Sequence, residues 1–147
     1  MSNSDEEITS DLVEELQRHL HAFRLLYSII LKQRGYLRTS DLKGLYTTKR
    51  QKERVVEIIK ARNAEVQRLH QQWFNTNASQ QDRERVREVV MEINRAIKKI
   101  FLLEGENELL VDKSKDKILK QLTNLFIGTE TIREYLPQIY LTSRAVR

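Results

Sequence analysis

The sequence predicts an all-α protein: an elongated antiparallel three-helix bundle or coiled coil with a C-terminal tail. Two observations lead to this fold class. No proline precedes Pro137 in the 147 residues, and only four glycines are present, so very long helices can form without interruption. Apolar residues also recur in steps of three and four along three separate stretches, which is the spacing of one helix face. We expect the bundle to span residues 1–127 and the tail residues 128–147.

The first helix is predicted to begin at Ser4 and to end near Gly35. Ser4 and Glu7 have the Ser-x-x-Glu spacing of a capping box, and acidic residues fill the first turn, where they suit the positive end of the helix dipole. Glycine commonly follows the last residue of a helix. The apolar stripe consists of Ile8, Leu12, Leu16, Leu20, Phe23, Tyr27, Ile30 and Leu31.

The second helix is expected to follow an N-cap within residues 39–41 and to end at a polar loop, residues 75–81. Lys49 and Lys52 interrupt its apolar stripe midway, so we expect that turn to be weakly packed. The stripe consists of Leu42, Leu45, Val55 or Val56, Ile59, Val66, Leu69 and Trp73.

The third helix is expected to follow a cap at Ser79 or Asn77 and to continue to residue 127. Asn107 lies on its apolar stripe, where a polar residue either fixes the register of a coiled coil or is solvated because the stripe drifts; the sequence favours neither. The stripe consists of Val86, Val90, Ile93, Ile97, Ile100, Leu103, Asn107, Leu110, Ser114, Ile118, Leu122 and Leu125.

The net charge of +5 is unevenly distributed along the chain. Residues 1–17 carry six acidic and no basic side chains, whereas residues 32–62 carry ten Lys or Arg. That basic stripe either binds an anionic surface or is a solvated helix face attracted to an acidic helix of the same chain. Only Tyr46 is an aromatic residue near the densest cations, and no nucleic-acid-binding motif occurs. We therefore expect no sequence-specific binding of nucleic acid.

The sequence contains no pattern of catalytic or metal-binding residues. The absence of cysteine excludes disulfides and zinc–thiolate sites. His19, His21 and His70 form no i,i+4 histidine pair, and the i,i+4 pair of Glu15 and His19 is interpreted as a surface hydrogen bond in preference to a metal site. No phosphate-binding loop or zinc-protease motif occurs. We expect a protein that is not an enzyme, with no cofactor, metal or small-molecule substrate.

The tail carries a short amphipathic pattern that predicts a docking segment. Ile132, Tyr135, Leu136 and Ile139 follow i, i+3, i+4 and i+7 spacing, with Tyr140 beside them. The segment either packs on the bundle or captures a partner, and the residues give both equal weight. The polar, acidic N-terminus lacks a signal peptide, and no run approaches about 20 apolar residues. A cytoplasmic location without stable membrane insertion is therefore expected.

The chain resembles the FlgN-type flagellar export chaperones over residues 8–127. Three passages carry the resemblance: the first helix ending near Gly35-Tyr36-Leu37, the leucine and lysine pattern that starts at Asp41-Leu42, and the segment 103–110, LEGENELL. Within the last passage, Asn107-Glu108-Leu109-Leu110 is similar to an asparagine–leucine pattern in the long last helix of that family.

This resemblance implies a cytoplasmic chaperone that binds hook–filament junction proteins and delivers them to the membrane export gate. It also implies that the C-terminal segment becomes helical on binding its client, and that a tyrosine there, Tyr135 or Tyr140, contacts the gate. The tail differs from many family members because it lacks a Tyr-Gly pair and contains Pro137. The alternatives are another helical secretion chaperone, FliT-like or of a virulence type III system, or a coiled-coil or nucleic-acid-binding adaptor.

Overall fold

The computed structural model of the chain describes residues 2–112, and within them it consists of three α-helices. These are α1 (Ser2–Thr39), α2 (Leu42–Phe74) and α3 (Gln80–Asp112). The helix α1 packs against both α2 and α3, and the described residues contain no strand. The predicted all-α three-helix bundle is confirmed. The predicted continuation of the third helix to residue 127, and the tail, lie outside the described residues.

The contacts along α1 define the direction of the other two helices. Trp73 near the end of α2 donates from Nε1 to Thr9 Oγ1 near the start of α1, at 3.1 Å, so α2 is antiparallel to α1. Arg24 pairs with Glu92, whereas the later Arg34 pairs with Glu106, so α3 is parallel to α1. The end of the bundle that contains the α1–α2 connection and the last turns of α3 is called the upper end below.

The apolar interior consists of two clusters. The main core contains buried side chains from all three helices, and α1 contributes the widest buried face because it contacts both partners. A smaller upper cluster contains Leu37 from α1, Leu45 from α2 and Val111 from α3. The residues of the main core that are at most 1% exposed are Leu12, Leu16, Leu26, Ile30, Val66, Val86, Val90, Ile93 and Ile100.

The end of α1 lies four residues later than the sequence predicted. The helix continues through Gly35 and ends at Thr39, because Ser40 adopts the left-handed conformation with φ of 57°. The Ser40 N–H donates to the Leu37 carbonyl at 3.4 Å and the Asp41 N–H to the Tyr36 carbonyl at 2.9 Å. This pair of hydrogen bonds is a Schellman motif, which satisfies the last carbonyls of α1.

Asp41 also begins the next helix. Its Oδ1 accepts from the Gly44 N–H at 3.0 Å, so the predicted cap within residues 39–41 is confirmed as Asp41. Gly44 is required here for a steric reason, since a β-carbon at this position would lie 2.5 Å from the Tyr36 ring. Asp41 thus contributes both to the end of α1, through its N–H, and to the start of α2, through its carboxylate.

The other helix boundaries differ less from the predictions. α1 begins at Ser2, so Ser4 lies inside the helix and the predicted capping position is wrong. The N–H groups of the first turn have no partner within the helix, and the first residue of a helix can therefore shift by a turn. The cap of α3 is Ser79, whose Oγ accepts from the Asp82 N–H at 3.1 Å. The loop after α2 spans residues 75–79 and is shorter than predicted.

Candidate partner-binding surfaces and the buried polar layer

The predicted partner-binding residues Ile132, Tyr135, Leu136, Ile139 and Tyr140 lie outside the described residues. Two features of the bundle are therefore described instead: its charged surface and a layer of buried polar side chains near the upper end.

The structure separates the ten cations of the basic stripe into two groups. Four are engaged with acidic or amide side chains: Arg34 with Asn107 and Glu106, Lys52 with Glu104, Lys60 with Glu57, and Arg62 with Glu15. Within the described part of the chain, the other six make no ion pair; they are Lys32, Arg38, Lys43, Lys49, Arg50 and Arg54. Attraction to acidic side chains of the same chain thus accounts for four of the ten cations, and binding of the other six to an anionic surface stays a prediction.

Three of these six cations share the outward face of α2. Lys43, Arg50 and Arg54 are spaced i, i+7 and i+11, so they lie along one line of the helix, and all three are exposed. Tyr46 and Ile58 are also exposed on this helix. Arg50, Arg54 and Ile58 line a shallow groove, and Glu53 and Glu57 line it as well. This mixture of both charge signs with apolar side chains suits a protein surface better than a phosphate backbone, which the carboxylates would repel.

A layer of buried polar side chains crosses all three helices below the upper cluster. Lys52 of α2 and Glu104 of α3 are 1% and 0% exposed, and Lys52 Nζ lies 3.0 and 3.2 Å from the two carboxylate oxygens. Burial lowers the pKa of Lys52, and the nearby carboxylates of Glu104 and Glu108 partly offset that shift. The prediction of weak packing is wrong at Lys52, because this side chain is 1% exposed and lies against an acid 52 residues away in the sequence.

Asn107 forms a second link in this layer, between α3 and α1. It is fully buried, its Nδ2 donates to the Ile30 carbonyl at 3.2 Å, and its Oδ1 accepts from Arg34 Nε at 3.2 Å. Arg34 also pairs with Glu106. The solvated alternative for Asn107 is therefore excluded, and the interhelical bonds fix α3 against α1 at this level.

Gln33 and Thr48 complete the layer. Thr48 Oγ1 donates to backbone carbonyls of its own helix, Gly44 at 2.9 Å and Leu45 at 3.0 Å. Gln33 is 1% exposed, and within residues 2–112 neither its amide nitrogen nor its amide oxygen has a hydrogen-bond partner. A buried amide without partners loses its hydration energy and receives nothing in exchange. Among the described residues, Gln33 thus places an uncompensated polar group at the upper end.

His19 is in the core, and its predicted place on the surface is wrong. The ring is fully buried and meets Phe23 edge-on, with 5.0 Å between ring centroids. Burial, with a smaller contribution from the charge of Arg62, lowers the pKa of His19 to about 4. Glu15, its predicted partner, accepts from Arg62 Nη1 at 3.1 Å and from Arg18 Nη1 at 3.4 Å. The ring is thus a neutral part of the core near neutral pH.

The described residues lack the features of two other classes of protein. Between residues 2 and 112, His, Asp and Glu side chains form no group of three that could hold a metal ion. None of the described helices is long and apolar enough to cross a membrane.

The buried ion pair was the main feature that sequence reasoning missed. Lys52 occupies a core position of α2. Glu104 lies next to Leu103, a residue of the apolar stripe of α3. Antiparallel α2 and α3, joined by a loop near residue 77, bring these two positions to the same level. A search for single opposite charges at matched levels of two stripes would have found the pair.

Comparisons of the chain with protein-family models, with curated proteins and with solved structures found no match.

Proposed function

We propose that the chain is a cytoplasmic helical export chaperone of the FlgN type, which binds hook–filament junction proteins and delivers them to the export gate. The observation that carries the proposal is the position of Asn107. It belongs to the passage that resembles the last helix of that family, and it forms the interhelical bonds to the Ile30 carbonyl and Arg34. Apart from the cap residue Asp41, the passages that carry the resemblance lie on the described helices.

In this proposal the bundle is a scaffold and the tail binds the client. In the closed bundle, contacts such as Thr9–Trp73 near one end and Asn107–Ile30 near the other link α1 to its neighbours. The tail covers an apolar helix of the client that would otherwise self-associate. Ordering the tail on binding costs conformational entropy, which keeps the complex reversible. Such a chaperone needs no nucleotide and no metal of its own.

The test compares two substitutions in the tail with two matched substitutions on the bundle, all in the full-length chain. The tail variant carries Leu136→Ser and Ile139→Ser. The control carries Leu25→Ser and Leu102→Ser, at apolar positions that are 44% and 69% exposed. Calorimetry with a hook–filament junction protein measures the affinity, and thermal melting measures the stability of the bundle.

We expect the tail variant to bind at least about tenfold more weakly, because each buried apolar side chain contributes about 1.5–3 kcal/mol. The control should bind as the unmodified chain does. Equal affinity of all three proteins would refute the tail as the binding segment. A lower melting temperature of the tail variant alone would show that the tail packs on the bundle. An unmodified chain that binds no junction protein would refute the proposed client.

A further inference from the structure

The buried polar layer interrupts the apolar interior completely. Between the main core and the upper cluster, every buried position on each helix is polar. On α1 this position is Gln33; on α2 the positions are Thr48 and Lys52; on α3 they are Glu104 and Asn107. Leu37, Leu45 and Val111 lie above the layer, and Ile30, Val55 and Leu103 lie below it.

This arrangement weakens the coupling between the two parts of the bundle. Apolar side chains lose favourable burial when they separate, whereas polar groups can exchange their protein partners for water. Three contacts of the second kind hold the last turns of α3 to the α1–α2 hairpin: Asn107 to Ile30, Arg34 to Glu106, and Lys52 to Glu104. The upper cluster adds three buried apolar side chains and, packed against them, three partly buried ones: Tyr36, Leu42 and Leu110.

Gln33 biases the same region towards opening. Its amide has no partner among the described residues of the closed bundle, and it gains hydrogen bonds to water as soon as the upper end separates. The hairpin has local support that does not depend on α3, because the Schellman motif and the Asp41 cap are internal to residues 36–44. The end of α3, residues 104–112, is therefore the part that can leave.

We propose that the upper end of the bundle opens as a separate unit, with residues 104–112 of α3 leaving the hairpin tip formed by residues 33–52 while the main core stays closed. Opening exposes the charged pair of the layer and the apolar side chains of Leu37 and Leu45. It also displaces Asp112, the residue from which the chain continues into residues 113–147. The inference concerns the described bundle alone and holds whether or not the proposed client is correct.

Native-state hydrogen exchange on the full-length chain tests this inference. Amides of residues 104–111, called the upper amides below, should share one opening equilibrium that depends weakly on denaturant, because opening this end exposes little surface. Amides of residues 12–30 and 86–100 should exchange only through global unfolding, with a steep dependence on denaturant. Simple fraying would instead give protection that falls gradually towards each helix end, without any dependence on denaturant.

A substitution in the layer provides the second measurement. Gln33→Leu removes the unpartnered amide and connects the two apolar clusters, so exchange of the upper amides should slow by about tenfold or more. Exposed Gln17 lies on the same helix, and Gln17→Leu is the matched control that should leave exchange unchanged. Any of three results overturns the inference. The first is an unmodified chain whose upper amides share the denaturant dependence of residues 12–30 and 86–100. The second is protection of the upper amides that falls only gradually towards the helix end. The third is a Gln33→Leu variant that slows exchange no more than the control does.

Discussion

Acidification should destabilise the bundle through His19, and replacing this residue should remove that contribution. The fully buried ring accepts a proton in the folded state only near the lowered pKa of about 4, whereas in the unfolded chain its pKa is about 6.5. Above pH 6.5 both states are neutral and the contribution to stability is fully present. As the pH falls through 6.5, the unfolded state takes up a proton first, so stability is lost progressively until about pH 4.

The magnitude follows from the difference between the two pKa values. A difference of about 2.5 units corresponds to a limit of about 3 kcal/mol, reached below pH 4. Between pH 7.5 and pH 5 the expected loss is about 2 kcal/mol, since at pH 5 most unfolded chains are protonated at this ring and few folded ones are. This is a large part of the stability of a small domain.

Urea unfolding followed by circular dichroism at several pH values between 7.5 and 5 measures this effect. In the His19→Leu variant the free energy of unfolding should fall by about 2 kcal/mol less than in the unmodified chain over this range. His21→Leu is the matched control, because His21 lies two residues away and is exposed; it should keep the full pH dependence. If the unmodified chain and the His19→Leu variant lose stability in parallel, the ring is not a neutral core residue and the reasoning is wrong.

Three further predictions concern the α1–α2 connection and the buried ion pair. Ser40→Gly should stabilise the protein by about 0.5–1 kcal/mol, since glycine tolerates the left-handed conformation at this position. Gly44→Ala should destabilise it by about 1 kcal/mol net, because the clash with the Tyr36 ring exceeds the gain in helix propensity. Lys52→Met alone should cost about 3–5 kcal/mol by leaving Glu104 buried and uncompensated, whereas Lys52→Met with Glu104→Met should recover most of that loss.

Chemical denaturation measures all three, and each has an outcome that contradicts it. A Ser40→Gly variant less stable than the parent would show that the left-handed turn is not strained. A neutral or stabilising Gly44→Ala would show that the Tyr36 ring moves aside at little cost. If the double methionine variant is no more stable than Lys52→Met, the loss comes from the packing of the lysine chain and not from an uncompensated carboxylate.

The periodic features of the fold could be predicted from the sequence because they depend on local spacing. Within the described residues, the apolar stripes apart from Leu31, which is 47% exposed, follow from residues within one or two helix turns. The Asp41 and Ser79 caps and the position of Asn107 on its stripe follow in the same way. The end of α1 could not be predicted in the same way. Gly35 is the residue type that most often ends a helix, but the chain turns at Ser40, where the Schellman bonds and the Asp41 cap stabilise a residue that seldom adopts this conformation.

Features that depend on distant partners were less accessible. The sequence predicts that Lys52 interrupts an apolar stripe and that His19 lies on the surface, but the three-dimensional structure places a carboxylate beside the first and the Phe23 ring against the second. Charge and hydropathy along one helix do not reveal which residues of another helix face it. The predicted client-binding residues of the tail and the proposed function stay predictions.

The single-residue junction at Asp41 makes the pairing of α1 and α2 sensitive to changes in chain length. Inserting one residue there would turn α2 by about 100° and shift it by about 1.5 Å, which would move Leu45 and Lys52 away from the interior. The loop at residues 75–79 imposes no such constraint through a shared residue. Length variation among natural or engineered versions of this chain should therefore accumulate between α2 and α3, while the first hairpin keeps a fixed number of residues.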